Sequence, residues 1–374
     1  MLRSEAVVDL PAIAANVAVC KAATAAEVMA VVKADGYGHG LVPSARAALA
    51  GGASWLGVAM LEEALALRAA GIGQRLLAWL WTPAETKALR AALAADVDVS
   101  VSSQRSLDLV LATAAELGTP ARVHLKIDTG LSRNGATRDD WPALVTAAAK
   151  AAASGVIVNA GIWSHFVHAD SPGHPTTGKQ VERFTEALAV AERLGVTPEV
   201  RHLANSAATV TLPQAHFDLV RPGVAVYGLS PVPQQSDFGL VPAMTLRSRL
   251  ANVKRVPAGE GVSYGHQYWL ESDSTLGLVP LGYADGVPRA ATNRGPVSVH
   301  GRRYTISGRV CMDQFVVDLG DDPAAEGDEV VLFGPGRDGE PTAQDWAEVL
   351  DTIHYEIVTR IGARVPRRYV GGEG

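Results

Sequence analysis

Eight short apolar runs, each bounded by turn residues and separated by an Ala-rich stretch, recur along the first two-thirds of the chain. They fall at residues 28–34, 55–60, 76–81, 97–101, 122–127, 156–164, 200–204 and 219–227. Between them lie helix-prone stretches such as 61–70, 84–94, 103–117 and 179–194. A continuous apolar run of strand length suits a strand buried on both faces, which is what a parallel sheet covered by helices requires. Eight strand-then-helix units fit a (β/α)8 barrel of the TIM type better than an open doubly wound sheet. The glycines of Gly36-Tyr37-Gly38-His39-Gly40 do not have the dinucleotide-binding spacing that an open sheet of the Rossmann kind would carry. A helix capped by Asp9, with Pro11 in its first turn and Ile13, Val17 and Cys20 on one face, precedes the first unit.

The pattern changes near residues 230–239, where Pro231, Pro233, two glutamines and Gly239 mark a linker. Beyond it come short β runs at 244–256, 276–280, 296–299, 314–319 and 329–333, with one helix at 342–350 that opens Thr-Ala-Gln-Asp. The fold class expected is therefore α/β: an N-terminal barrel over residues 1–235 and a mainly antiparallel β domain over 236–374.

Hydrophobic residues make up 48% of the chain and charged residues 19%, enough to bury two sizeable cores. The formal charge of −6 is spread along the sequence. That argues against nucleic acid or an anionic membrane as a partner, but not against a small phosphate ligand bound locally. Two cysteines, Cys20 and Cys311, make no disulfide framework, and nothing has metal-ligand spacing, so no metal is expected. Glu5 stands close to the start and no apolar segment follows it, which speaks against a signal peptide. The longest uncharged stretch, about residues 151–166, is interrupted by Ser154, Gly155, Asn159 and Gly161 and does not suit a membrane span. A cytoplasmic protein is expected.

In a barrel of this type reactive groups gather at the carboxyl ends of the strands, and phosphates often sit near the last two loops. Lys33 falls after the first strand, Arg133 after the fifth, His165 at the end of the sixth, Asn205-Ser206 after the seventh, and Arg221-Pro222-Gly223 in the eighth. A lysine closing an apolar strand must have its charge stabilised or removed. Pairing with Asp35 and Schiff-base chemistry both satisfy that demand.

Several spaced segments together resemble one family. Val31-Val32-Lys33-Ala34-Asp35-Gly36-Tyr37-Gly38-His39-Gly40 resembles the cofactor-attachment segment of alanine racemases, enzymes dependent on pyridoxal 5′-phosphate (PLP). The resemblance continues in order through the segments His124–Gly135, Trp163–Phe166, His202–Ser206, Arg221–Gly223, Val262–Gly265, Gly282–Gly286 and Cys311–Asp313. It spans essentially the whole chain.

The resemblance implies a role for each matching residue. Lys33 would hold PLP through its amine and then act as a base. Tyr37, Ser206, the backbone at Gly223 and Val224, and Tyr355 would bind the phosphate, with Asn205 beside them. Arg221 would face the pyridine nitrogen. Having donors only, it would keep that nitrogen unprotonated, which suits racemisation better than decarboxylation. His165 would lie near the cofactor ring and support Arg221, and His202 with Arg221 would help Tyr264 to ionise. Tyr264 would be the second base, because inverting a centre needs groups on both faces. It would come from the other subunit of a homodimer, with Met312, Asp313 and the supporting Tyr283. Arg133 would bind the substrate carboxylate. Lys126, carbamylated in many family members, would orient it. No role falls to His39, His168, His174 or Cys311.

The substrate implied is alanine, with D-alanine feeding peptidoglycan. Alternatives on the same fold are a serine or broad-spectrum racemase, a PLP-dependent decarboxylase and a non-catalytic PLP binder. Arg221 argues against the decarboxylase, and Tyr264 with the 311–313 segment argues against the binder. One departure stands out: the family often has Asn-Ala where this chain has Asp35-Gly36.

Overall fold

The computed structural model describes residues 2–372. They form two compact units, one of residues 13–36 and 41–240, the other of residues 2–12, 37–40 and 241–372. Strand β1 (Ser4–Asp9) belongs to the second unit. The eight strands that follow build the first: β2 (Glu27–Val31), β3 (Trp55–Val58), β4 (Arg75–Ala78), β5 (Asp98–Val101), β6 (Ala121–Lys126), β7 (Ile157–Trp163), β8 (Val200–His202) and β9 (Leu219–Val220).

These eight form one parallel sheet in the order β8-β7-β6-β5-β4-β3-β2-β9. Its two edges meet, because Asp218 N–H donates to Arg201 O at 3.0 Å and Arg221 N–H to Ala204 O at 2.9 Å. The barrel interior is filled rather than open. Met29, Trp55, Leu77, Val200 and Leu219, contributed by five different strands, pack as one cluster with Trp79 against it. Helices alternate with the strands, and their ends follow ordinary signals. Ser103 caps helix Gln104–Leu117 by accepting the Ser106 N–H, and Gly118 ends it in the left-handed region at φ 68°.

The last apolar run differs from its expected form. Only Leu219–Val220 is strand; Pro222 then removes a backbone donor, and Val224–Tyr227 winds into a 3₁₀ turn.

The second unit adds β10 (Met244–Arg249), β11 (Asn252–Val256), β12 (Gly261–Val262), β13 (Tyr268–Trp269), β14 (Ser274–Val279), β15 (Pro296–Val299), β16 (Arg302–Thr305), β17 (Phe315–Asp318), β18 (Glu329–Phe333) and β19 (Arg367–Val370). Six strands pair in the order β16-β15-β18-β10-β1-β19, and three in the order β11-β14-β17. All pairings are antiparallel except β1 with β19. The Thr-Ala-Gln-Asp opening works as a reciprocal cap on helix Ala343–Leu350. Thr342 Oγ1 accepts the Asp345 N–H at 3.1 Å, and Asp345 Oδ2 accepts the Thr342 N–H at 3.0 Å.

The two compact units divide a few residues beyond the expected 235/236 boundary. The first unit closes at Leu240, and the start of the chain goes with the second. The reason lies in β1, whose residues alternate buried and half-buried and pair with β10 over five positions. That period of two is too brief to stand out ahead of a strong helix.

Candidate active site

Directly after β2 the chain makes a turn that few sequences tolerate. Ala34, Asp35 and Gly36 lie in the left-handed region at φ/ψ of 53°/52°, 53°/47° and 61°/44°, and Tyr37 follows at φ 52°. Left-handed residues cost roughly 1–2 kcal/mol each for L-amino acids, so a run of them needs outside support. Glu63 supplies it: one carboxylate oxygen accepts the Ala34 N–H at 2.6 Å and the other accepts those of Ala59 and Met60 at 3.0 Å. Asp35 Oδ1 accepts the Leu41 N–H at 2.8 Å. Asp35 is thus a turn-capping residue, and the acid facing Lys33 in charge is Glu63. The Lys33 amine is held below the usual lysine range, first by burial and then by the Arg133 guanidinium, with Glu63 opposing.

Cations crowd the carboxyl ends of the strands around two indoles. Lys33 Nζ lies 5.9 Å from the Trp79 ring, Lys126 Nζ 4.0 Å from that of Trp163, and the Arg221 guanidinium carbon 4.9 Å from Trp163. Trp79 and Trp163 are themselves 6.1 Å apart. Trp163 is fixed by its own N–H, which donates to Ser100 Oγ at 2.9 Å. Burial, with Arg221 and Arg133 nearby, brings the Lys126 amine down to about 7.

Arg221 is buried, and both of its terminal nitrogens meet acceptors of the protein. It donates to His202 Nδ1 at 3.0 Å, Ser164 O at 2.8 Å, Leu203 O at 3.2 Å and His165 Nδ1 at 3.3 Å. Both imidazoles are pushed well below their ordinary range by burial first and then by the Arg221 charge, which keeps them neutral. Burial also lowers Arg221 itself, to about 9.

Ser206 Oγ accepts the Gly223 N–H at 2.7 Å and the Ala225 N–H at 3.4 Å, so a hydroxyl and backbone amides converge between β8 and the turn after β9. Val224 opens the 3₁₀ turn of which Gly223 is the cap. The Asn205 side chain is used locally: its oxygen accepts the Ala208 N–H at 3.1 Å and caps helix Ser206–Thr211.

The remaining expected residues lie in the second unit. Tyr37 and Tyr355 approach with ring centres 6.2 Å apart. Tyr264 sits on a strained turn, with Ser263 at φ 63°, Gly265 at 70° and His266 at 42°, and 69% of it is exposed. Tyr283 and Met312 are exposed as well, at 42% and 53%. Their loops are joined, since Tyr283 N–H donates to Cys311 O and Ala284 N–H to Met312 O, each at 3.0 Å. Asp313 is held by Arg364 at 2.8 Å, and Arg364 also contacts the buried Asp285 at 3.2 Å.

Comparison with known proteins decides the family. The model of the alanine racemase N-terminal domain matches residues 8–231, and that of the C-terminal domain matches 243–369. The chain belongs to the alanine racemase family. Alanine racemase from Salinispora arenicola is 61% identical over 372 residues, covering 99% of both chains. The crystal structure of alanine racemase from D-cycloserine-producing Streptomyces lavendulae superimposes with a TM-score of 0.98 at 56% identity, covering 100% of this chain and 98% of that one. A more distant member, alanine racemase from Bacillus anthracis with bound L-Ala-P, has a TM-score of 0.91 at 35% identity, over 99% and 95% of the two chains.

Beside the residues expected from family resemblance, the structure adds Glu63, Trp79, Asp98 and His124 to the surroundings of the site. Glu63 and Trp79 had no local motif to announce them. Asp98 had one weak signal, an acid opening a buried barrel strand, and His124 opened a segment that resembles the family without a role of its own.

Proposed function

We propose that this chain interconverts L- and D-alanine, using PLP, as a cytoplasmic homodimer in which the second unit of each copy completes the site of its partner. The D-alanine would serve peptidoglycan synthesis. The observation that carries the reading is Arg221: a buried group with donors only, at the barrel position where a decarboxylase of this fold has an acid. Membership of the family, with relatives at 54–61% identity, supports it.

The donor set fits the cofactor. An amine held below its usual range suits covalent attachment, and a hydroxyl with converging amide N–H groups suits a phosphate dianion. Lys33 would hold PLP, and Ser206, Gly223, Val224, Tyr37 and Tyr355 would bind its phosphate. When bound, PLP supplies an electron-withdrawing ring that acidifies the Cα–H of an attached amino acid.

The chain's own groups do the rest. Lys33 moves a proton at Cα on one face, and Tyr264 of the partner subunit does so on the other. Arg133 binds the carboxylate of the substrate. Lys126, whose amine titrates near 7, is neutral often enough to take up carbon dioxide, and the resulting anion would orient Arg133. Arg221, which has donors only, would keep the ring nitrogen of bound PLP unprotonated. The exposed Tyr264, Tyr283 and Met312 are the surface that a second copy would cover. Among the described residues no helix is long and apolar enough to cross a membrane.

Kinetics with alanine and serine test the substrate. A small pocket rejects an added hydroxyl by only roughly a hundredfold, so slow serine turnover is expected with kcat/KM highest for alanine. Equal or greater efficiency with serine would replace this reading with a serine or broad-spectrum racemase.

A further inference from the structure

Beneath Arg221 a chain of hydrogen bonds crosses the barrel interior, within the first unit. Arg221 meets His202 Nδ1 at 3.0 Å, His202 Nε2 meets His124 Nδ1 at 2.8 Å, and His124 Nε2 meets Asp98 Oδ2 at 3.1 Å. Asp98 Oδ1 accepts from Arg122 Nε at 3.0 Å, and Arg122 forks onto Glu199 at 2.9 and 2.6 Å. The side chains of Asp98 and His124 are fully buried, whereas that of Glu199 is 47% exposed.

Elementary chemistry fixes every proton in this chain. Arginine has donors only, so His202 Nδ1 must accept. The neutral His202 ring then carries its proton on Nε2 and donates to His124 Nδ1. His124 must in turn carry its proton on Nε2 and donate it to the Asp98 carboxylate. Asp98 is the natural terminus: burial would raise its pKa, but the bonds from His124 and Arg122 outweigh burial and hold it below the usual range.

The packing accommodates both rings in this arrangement. His124 and His202 stand on β6 and β8, with β7 between them. On β7 the residue paired with His124 is Gly161, where a Cβ would lie 2.2 Å from His124 Nδ1. Any other residue there would occupy the path of the imidazole. Trp163 stacks on His202 at 5.6 Å and Trp55 meets His124 edge-on at 5.7 Å, so each ring has an indole packed against it.

We propose that Asp98 and His124 are positioning residues for the reaction: acting through His202, they fix the proton direction of the chain ending on Arg221 and keep that guanidinium charged and oriented toward the cofactor ring. This rests on the role given to Arg221 above. The barrel mouth holds Lys33, Lys126, Arg133 and Arg221, and the hydrogen-bond chain is how a carboxylate buried on the other side of the interior reaches the last of them.

The test uses the full-length, PLP-loaded protein labelled with ¹⁵N-histidine. Long-range ¹H–¹⁵N spectra should show His202 and His124 both neutral and protonated on Nε2. Protonation of Nδ1 in either ring would overturn the proposal, whatever the enzyme's activity. In Asp98→Asn, kcat should fall by roughly ten- to hundredfold, with KM for alanine changed by no more than about twofold. The His202 Nδ1 resonance should move although that ring does not touch Asp98. A loss of activity with that resonance unmoved would reduce Asp98 to a structural role and contradict us. Gly161→Ala breaks the chain without removing a charge, and the same His202 shift is expected. If neither variant folds, the tautomers of the parent protein decide. A parent protein that shows the expected tautomers but does not racemise alanine would fail the functional reading, and with it the role of the chain in that reaction.

Discussion

At the scale of single residues, the site is a set of basic groups whose charges are managed by burial and by one another. Lys126 shows the consequence for stability. Its amine titrates near 7 in the folded chain, against about 10.4 in an unfolded one. Between those values the unfolded state binds more protons, so stability rises with pH. The contribution is fully present above the unfolded value and is lost as pH falls through the folded one. Lys126→Met should remove it. In carbonate-free buffer, denaturation of the two proteins should show the parent losing ground to Lys126→Met as pH falls from about 10 to about 7. A difference constant over that window would mean that Lys126 keeps an ordinary pKa.

At the scale of elements, the left-handed turn Ala34–Gly36 directly follows Lys33 after β2. Gly36 has φ 61°, and a Cβ there would meet Ser44 Oγ at 2.7 Å. Gly36→Ala should therefore cost about 1–3 kcal/mol. Ser44→Gly should recover much of that in the double variant, as urea denaturation of the four proteins would show. Full additivity of the two changes would place the strain in the backbone alone.

The barrel was legible in the sequence because strands buried on both faces read as largely apolar runs, and a strand starts within one residue of the start of each of the eight, although the last is cut to Leu219–Val220. Lys33, Arg221 and Tyr264 were readable in the sequence as candidates because they fall in segments that resemble the family. Glu63 was not, because it serves backbone N–H groups at three positions and has no local motif. Gly161 was read as an interruption of an apolar stretch, whereas it makes room for a side chain from the neighbouring strand. β1 was hidden because its partners, β10 and β19, lie more than two hundred residues away.

At the scale of the molecule, the residues expected at the site fall into two groups, Lys33, Arg133 and Arg221 in the first unit and Tyr264, Met312 and Asp313 in the second. If a homodimer pairs the first group of one copy with the second group of the other, two inactive variants should complement. Lys33→Ala and Tyr264→Phe, each nearly inactive alone, should regain roughly a quarter of parental activity when unfolded together and reassembled, since half the dimers are mixed and each mixed dimer has one intact site. Failure to complement, with mixed dimers shown to form, would place both bases within a single chain.

The measurement closest to the central claim follows L-alanine in heavy water with the PLP-loaded protein, reading Cα deuteration by proton NMR and product chirality with a resolving reagent. The account predicts D-alanine carrying deuterium at Cα. It also predicts that Tyr264→Phe, while racemising poorly, still exchanges the proton of D-alanine through Lys33. Ethylamine would mean decarboxylation and a wrong reading of Arg221. L-alanine recovered unchanged by a cofactor-loaded protein would contradict the account as a whole.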